Sequence, residues 1–199
     1  MDSFMRNHPF IRDGFSVIFF VICVVIGTIF VNSFIFRSFT VEGPSMEPTL
    51  YTGDRLLVSR IGITLSQLRN EQYQPNRGDV IVFKNPNFDP ITERNEYIVK
   101  RVIGLPGETV TVSDGTLKVY NESHPDGFEP DPTFDDAPGS PTSGDSTVRV
   151  LRDTVYVAGD HREDNFSYDS RNGLGLVPLY DVIGPVALRI YPFNEARTF

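Results

Sequence analysis

The sequence has little cysteine, little histidine and no tryptophan. Cys23 is its single cysteine, so an intramolecular disulfide is excluded and cysteine usage does not reveal the redox compartment. With three histidines and one cysteine, the chain offers no Cys/His cluster for a metal ion. Its net charge of −8 argues against a nucleic-acid-binding surface. We therefore expect no metal and no nucleic-acid partner.

Charged residues are absent from residues 15–36. A helix of this length spans roughly 33 Å, enough for a hydrocarbon core of about 30 Å. The centre of the run is apolar on all sides, which is typical of a membrane span rather than of an amphipathic surface helix. We predict a transmembrane anchor. A cleaved signal peptide is an alternative, but the run is long for one and no clear small-x-small cleavage site follows it. A buried core helix is the second alternative to a transmembrane anchor.

Positive charge around the anchor predicts its orientation. Arg6 and Arg12 precede the anchor and Arg37 follows it, which favours a cytoplasmic N-terminus under the positive-inside rule. Residues 1–14 are then a cytoplasmic tail, and residues 37–199 are an extracytoplasmic domain of a single-pass protein of the cell membrane.

Lysine and arginine are absent from residues 121–147, which are rich in proline and glycine. This stretch carries most of the negative charge: Glu122, Asp126, Glu129, Asp131, Asp135, Asp136 and Asp145. We interpret it as a solvated acidic loop inserted into the domain, with an acidic binding tail as the alternative.

Short β-branched runs separated by turn signals follow the anchor. Residues 80–83, 97–103 and 154–158 have strand composition, and Asp114-Gly115 between two such runs is a hairpin signal. Residues 64–73 favour a short helix. The pattern predicts a mostly β fold, an antiparallel sandwich or partial barrel, preceded by one N-terminal transmembrane helix.

Ser45 lies between Pro44 and Pro48, shortly after the anchor. The two prolines disfavour a helix and push their neighbours towards extended conformations. We therefore predict that Ser45 sits on an irregular strand with its hydroxyl held in a fixed direction. The alternative is a turn or capping serine, because serine near proline and glycine is common turn chemistry.

Lys100 lies inside an apolar run. It could be the solvent-facing member of an alternating strand. The chemical alternative is a base for Ser45, since a serine hydroxyl is a weak nucleophile that needs one. Lysine serves as a base only when neutral, and burial can lower its pKa from about 10.4 by roughly 3–5 units.

Residues 159–173 follow a predicted strand and are dense in hydrogen-bonding side chains. They are either an ion-paired surface loop or a polar shell around an active site.

Four blocks in order resemble the bacterial-type signal peptidase I family, the leader peptidases with a Ser/Lys dyad. These are GPSMEPTL at 43–50, RGDVIVF at 77–83, YIVKRVIGLPGE at 97–108, and residues 159–173. The resemblance covers nearly the whole chain outside residues 121–147. It implies a membrane-bound serine endopeptidase with an antiparallel β catalytic domain and no cofactor. Its expected partners are the lipid bilayer and exported preproteins with small residues at the first and third positions before the cut.

The resemblance also implies roles for single residues. Ser45 would be the nucleophile and, through its backbone N–H, an oxyanion donor; neutral Lys100 would be the general base and Ser167 would orient it. Gly43 stands where some members have a serine, which excludes a side-chain oxyanion donor there. The supporting polar shell would comprise Asp160, Arg162, Asp169 and Arg171, with Asp169 and Arg171 as a salt-bridged pair beside the site.

The last block departs from the family pattern. The usual Gly-Asp-Asn-Arg-Asp-Asn-Ser is replaced by GDHREDNFS, with two extra residues before Ser167, which puts the roles of Arg162 and Asp164 in doubt. His161 could suggest the serine–histidine variant of the endoplasmic reticulum enzymes, but Lys100 is present in its block. We therefore interpret His161 as a substitution for asparagine. Two other classes stay open: a non-catalytic membrane-anchored β module, and a self-cleaving regulator with a Ser/Lys dyad.

Overall fold

A computed structural model describes residues 9–88, 97–134, 138, 141–164 and 166–199, with side chains from residue 14 onward. Residues 1–8 of the predicted tail and Asp135 and Asp136 of the predicted acidic loop lie outside the described residues.

The N-terminal helix α1 spans Pro9–Phe30 and continues into a π-helical turn, Val31–Ile35. By length and composition, Gly14–Ile35 could cross a membrane, and none of its apolar window is buried against the rest of the protein. This exposure argues against the core-helix alternative, because a core helix would bury its side chains. The predicted N-terminal apolar helix is confirmed, and it ends one residue earlier than expected, since Phe36 begins a strand.

The remaining elements are mostly short strands. In chain order they are β1 (Phe36–Thr40), β2 (Arg55–Ser59), α2 (Ile61–Leu68), β3 (Val80–Lys84), β4 (Tyr97–Gly104), β5 (Thr109–Ser113), β6 (Thr116–Asn121), β7 (His124–Phe128), β8 (Ser146–Arg149), β9 (Thr154–Ala158), β10 (Val177–Pro178), β11 (Val182–Tyr191) and β12 (Arg197–Thr198).

The strands form two antiparallel sheets. The larger sheet has the order β1-β2-β11-β3-β4-β9-β10, with β12 also paired to β11, and the smaller has the order β7-β6-β5-β8. The predicted mostly β, antiparallel fold is therefore confirmed. The Asp114-Gly115 hairpin is present as the β5–β6 turn, where both residues have positive φ.

Two local predictions differ from the structure. The short helix spans Ile61–Leu68 rather than residues 64–73; Ile63 is buried within it, and the Thr64 hydroxyl donates to Phe34 O. The stretch 121–147, interpreted as a loop, contains β7 and the first residues of β8.

The larger sheet is covered on both faces, which explains its continuous apolar runs. Ile81 and Phe83 of β3 join one core cluster, whereas Val80 and Val82 join a second cluster on the other face. The smaller sheet packs its own cluster against Tyr156 of β9. Strand β4, next to β3, is therefore buried in the middle of the domain.

Candidate active site

Ser45 lies in a turn between β1 and β2. Glu47 N donates to Pro44 O at 3.0 Å and Leu50 N donates to Met46 O at 2.9 Å. The predicted irregular strand is wrong. Met46 and Leu50 are completely buried, and burying both side chains in one core cluster requires the segment to turn.

Lys100 meets Ser45 across the fold. Nζ of Lys100 lies 2.6 Å from Oγ of Ser45 and donates to Val99 O at 2.8 Å. These two side chains come from β4 and from the turn after β1, so the contact depends on the packing of the larger sheet. The alternative of a solvent-facing Lys100 is contradicted, because the residue is only 3% exposed.

The buried environment changes the acidity of Lys100. Burial lowers the pKa of Lys100 from 10.5 to about 8, although the carboxylates of Asp169 and Asp160 oppose this change. Arg171 acts in the same direction as burial. About a tenth of the amine is then neutral at pH 7 and about half at pH 8, so the neutral form that a general base requires is populated.

Asp160 is held by a residue to which the sequence assigned no role. Arg101 donates from Nε to Asp160 Oδ1 at 2.9 Å and from a terminal nitrogen to Oδ2 at 2.6 Å, and Thr49 donates to Oδ2 at 2.5 Å. All three residues are buried. The composition of β4 gave no signal for this pair, because Asp160 lies 59 residues away from Arg101 in the sequence.

Asp169 and Arg171 form the ion pair that the family resemblance implied. The nearest contact is 2.7 Å, and Asp169 also accepts a hydrogen bond from Gly159 N at 2.9 Å. Burial alone would raise the pKa of Asp169, but the hydrogen bonds and charge of Arg171 outweigh burial and hold that pKa below its usual value.

Ser167 lies beside Gly159 rather than in a hydrogen bond with the lysine. Its hydroxyl is fully buried and makes no hydrogen bond of standard geometry with any described residue, although it lies near enough to Asp169 to help lower the pKa of that carboxyl. A Cβ at Gly159 would collide with both Ser167 Oγ and Ser45 O. Glycine is thus required where these two residues approach each other.

Arg162 binds the segment that was interpreted as an acidic loop. Its guanidinium, completely buried, donates to both carboxylate oxygens of Asp131 at 2.6 and 2.8 Å, and its Nε donates to Gly159 O at 2.7 Å. Asp131 was noted only as part of an acidic run, so this partnership was missed.

His161 supports the turn that carries Ser45. Its backbone N–H donates to Ser45 O at 3.2 Å, its Nδ1 lies 3.2 Å from Pro44 O, and its ring stacks on Phe166 at 4.5 Å. The interpretation of His161 as a substitution for asparagine stays a prediction.

A cleft of about 720 Å³ opens at the Ser45–Lys100 pair. Its lining includes residues 39–45 and 97–100 together with Phe166 and Tyr168. Residues 39 and 40 belong to β1 and residues 97–100 to β4, so the cleft is lined in part by extended backbone, as a site for an extended peptide requires.

Residues 12–191 match the family model described as signal peptidase, peptidase S26. The chain belongs to this family. It is 34% identical over 179 residues to a signal peptidase I of Bacillus licheniformis, covering 89% of this chain and 88% of that protein. It is 32% identical to signal peptidase I T of Bacillus subtilis (strain 168), covering 89% and 85%. A crystal structure of a signal peptidase I from Enterococcus faecalis V583 aligns with 28% identity and a TM-score of 0.42, covering 57% of this chain and 97% of that one.

Membership of the signal peptidase family makes this protein a serine endopeptidase and confirms the predicted resemblance. It excludes the two other classes, the non-catalytic module and the self-cleaving regulator. As a member of this family it acts on proteins that carry signal peptides. The N-terminal apolar helix is compatible with a membrane-anchored enzyme.

Proposed function

We propose that this signal peptidase cleaves exported preproteins with Ser45 as its nucleophile and neutral Lys100 as its general base. The observation that carries the proposal is the 2.6 Å contact between Lys100 Nζ and Ser45 Oγ at the mouth of the cleft. The lowered pKa of Lys100 supports it independently, because an ammonium group cannot accept the serine proton.

The reaction follows the two-step course of acyl transfer. Ser45 Oγ attacks the scissile carbonyl carbon while its proton moves to Lys100 Nζ. The resulting oxyanion accepts a hydrogen bond from the backbone N–H of Ser45. Losing one donor of this kind typically costs about 2.7–4 kcal/mol of transition-state stabilisation.

Lys100 completes both steps. Its ammonium donates the proton to the leaving amine as the peptide bond breaks, which leaves an ester on Ser45 and returns Lys100 to its neutral form. A water molecule then loses a proton to Lys100 and attacks the ester carbon, and the proton finally returns to Ser45 Oγ.

The supporting shell keeps these two groups in place. The ion pairs Arg101–Asp160 and Arg171–Asp169 balance charge around the buried amine, and Arg162 braces the backbone at Gly159. We assign Ser167 a base-orienting role as a prediction of the family pattern alone, to be tested by substitution.

The substrate binds in an extended conformation near residues 41–45, which line the cleft beside the reacting pair. Small residues at the first and third positions before the cut fit the family preference. Residues 15–36 anchor the enzyme in the cell membrane, with the N-terminus in the cytoplasm and the cleft outside. Tethering both enzyme and substrate to one bilayer raises their effective concentration.

Cleavage of a preprotein with an Ala-x-Ala site tests this function. We expect the detergent-solubilised protein to cut after the second alanine, as read by N-terminal sequencing of the product. Ser45→Ala and Lys100→Ala should each lower the rate by at least about 10³-fold, since members of a catalytic unit cannot replace one another. Unchanged cleavage by Ser45→Ala would remove the assignment of the nucleophile.

A further inference from the structure

Helix α2 exposes an apolar stripe. Ile61, Leu65 and Leu68 are 44%, 47% and 77% exposed and lie at positions i, i+4 and i+7, which place them on one helical face. The helix is fixed to the domain from another side, where Ile63 is buried and Gly62 packs against the ring of Tyr73. A helix this short does not need such a stripe for its own stability.

The start of α2 is bonded to the end of the apolar span. Arg60 N donates to Ile35 O at 2.8 Å, and the Thr64 hydroxyl donates to Phe34 O at 2.9 Å. Phe34 and Ile35 are the last two residues of the segment Gly14–Ile35, which could cross a membrane. The hydrogen bonds therefore hold α2 at the level where the hydrocarbon core ends.

Charge is arranged around α2 as at a lipid surface. Residues 61–68 contain no ionisable side chain, whereas Arg60 precedes the helix and Arg69 follows it. Arg69 is exposed. An apolar face between two cations suits the boundary between acyl chains and anionic headgroups.

We propose that α2 lies in the lipid interface and that Ile61, Leu65 and Leu68 insert into the bilayer that holds the anchor. This inference rests on the proposed membrane anchoring. Two membrane contacts joined by hydrogen bonds prevent the domain from swinging about a single helix. Strand β1, about 16 Å long for its five residues, then sets the height of the cleft above the membrane.

The absence of tryptophan from the chain allows a direct test. Leu65→Trp and Leu68→Trp each create a protein with one tryptophan, to be reconstituted as the full chain in vesicles of zwitterionic and anionic phospholipid. Lipids brominated near the headgroup end of the acyl chain quench tryptophan fluorescence at the interface. Preprotein cleavage in the same vesicles verifies that each variant is folded.

Two further variants calibrate the measurement. Phe20→Trp places the reporter inside the apolar span, about 7 Å from its midpoint, where lipids brominated along the acyl chain should quench it. Leu151→Trp places it at a residue that is 60% exposed just before β9, five strand positions and about 24 Å from β1 across the sheet.

We expect shallow bromolipids to quench Leu65→Trp and Leu68→Trp at least three-fold more than Leu151→Trp. Quenching of Phe20→Trp without quenching at positions 65 and 68 would overturn the role of α2 while leaving the anchor intact. Protection of positions 65 and 68 from aqueous iodide without bromolipid quenching would assign the stripe to a protein contact and would also overturn it. Absence of quenching in Phe20→Trp would refute the anchoring itself.

Discussion

The environment of a single amine decides the chemistry at the residue scale. Lys100 is surrounded by apolar strands, and burial lowers its pKa to about 8 despite the nearby carboxylates of Asp160 and Asp169. Each carboxylate is paired with an arginine, so neither is a free anion beside the amine. The same ion pairs therefore support the fold and limit how far the lysine is pushed towards its charged form.

The pH dependence of cleavage follows from this pKa. A base is active when unprotonated, so kcat/KM should rise with pH and reach half of its plateau near pH 8, the value set by burial of Lys100. The measurement is kcat/KM for a peptide substrate from pH 5 to 10. A rate that falls across this interval would contradict a lysine base.

Asp160→Asn provides a matched test of the cause. The Asp160 carboxylate raises the pKa of Lys100, so its removal should move the rising limb to lower pH. The control variant Lys118→Met removes a lysine from β6, in the smaller sheet. It should leave the pH at which kcat/KM rises unchanged. A shift towards higher pH in Asp160→Asn would mean that the carboxylate does not act on Lys100 in this way.

At the scale of elements, an ion pair helps to connect the acidic segment to the site. Asp131 lies in the short 3₁₀-helix Asp131–Thr133 and holds the buried Arg162, which donates to Gly159 O. The backbone from Gly159 to His161 in turn contacts Ser45. The segment thus braces the turn that carries the nucleophile, a role that its composition did not indicate.

Removal of the Asp131 charge should destabilise the protein. Asp131→Asn leaves the buried Arg162 guanidinium without a counter-ion, and we expect it to lower the free energy of unfolding by about 3 kcal/mol. Urea denaturation measures this loss. Glu129→Gln removes an exposed charge two residues away and should change stability by less than about 0.5 kcal/mol. Equal unfolding midpoints for the two variants would contradict the claim that the Asp131–Arg162 ion pair stabilises the fold.

Over the whole molecule, the elements that the sequence predicted correctly are those that depend on a local residue pattern. An uncharged apolar run gave the N-terminal helix, and β-branched runs with turn signals gave β3, β4, β9 and the β5–β6 hairpin. Four motif blocks gave the family and the pairing of Ser45 with Lys100.

What the sequence missed depends on contacts between distant segments. The Asp160–Arg101 and Asp131–Arg162 pairs join residues 59 and 31 positions apart, and no local period encodes them. The turn at Ser45 was misjudged because proline neighbours suit both a strand and a turn, and only the burial of Met46 and Leu50 decides between them. Strand β7 was missed because three of its five residues are exposed and because it includes a proline and a glycine.

Detection of an acyl-enzyme tests the central claim, the Ser45–Lys100 dyad, most directly. A peptide ester with an Ala-x-Ala end would be mixed with the full-length protein and quenched in acid during turnover, and intact-mass and peptide-mass spectrometry would locate any adduct. We predict an acyl group on Ser45 in the wild type, none in Ser45→Ala, and acylation slowed at least about 10³-fold in Lys100→Met. An adduct on another residue, or acylation of Lys100→Met at the wild-type rate, would contradict the account.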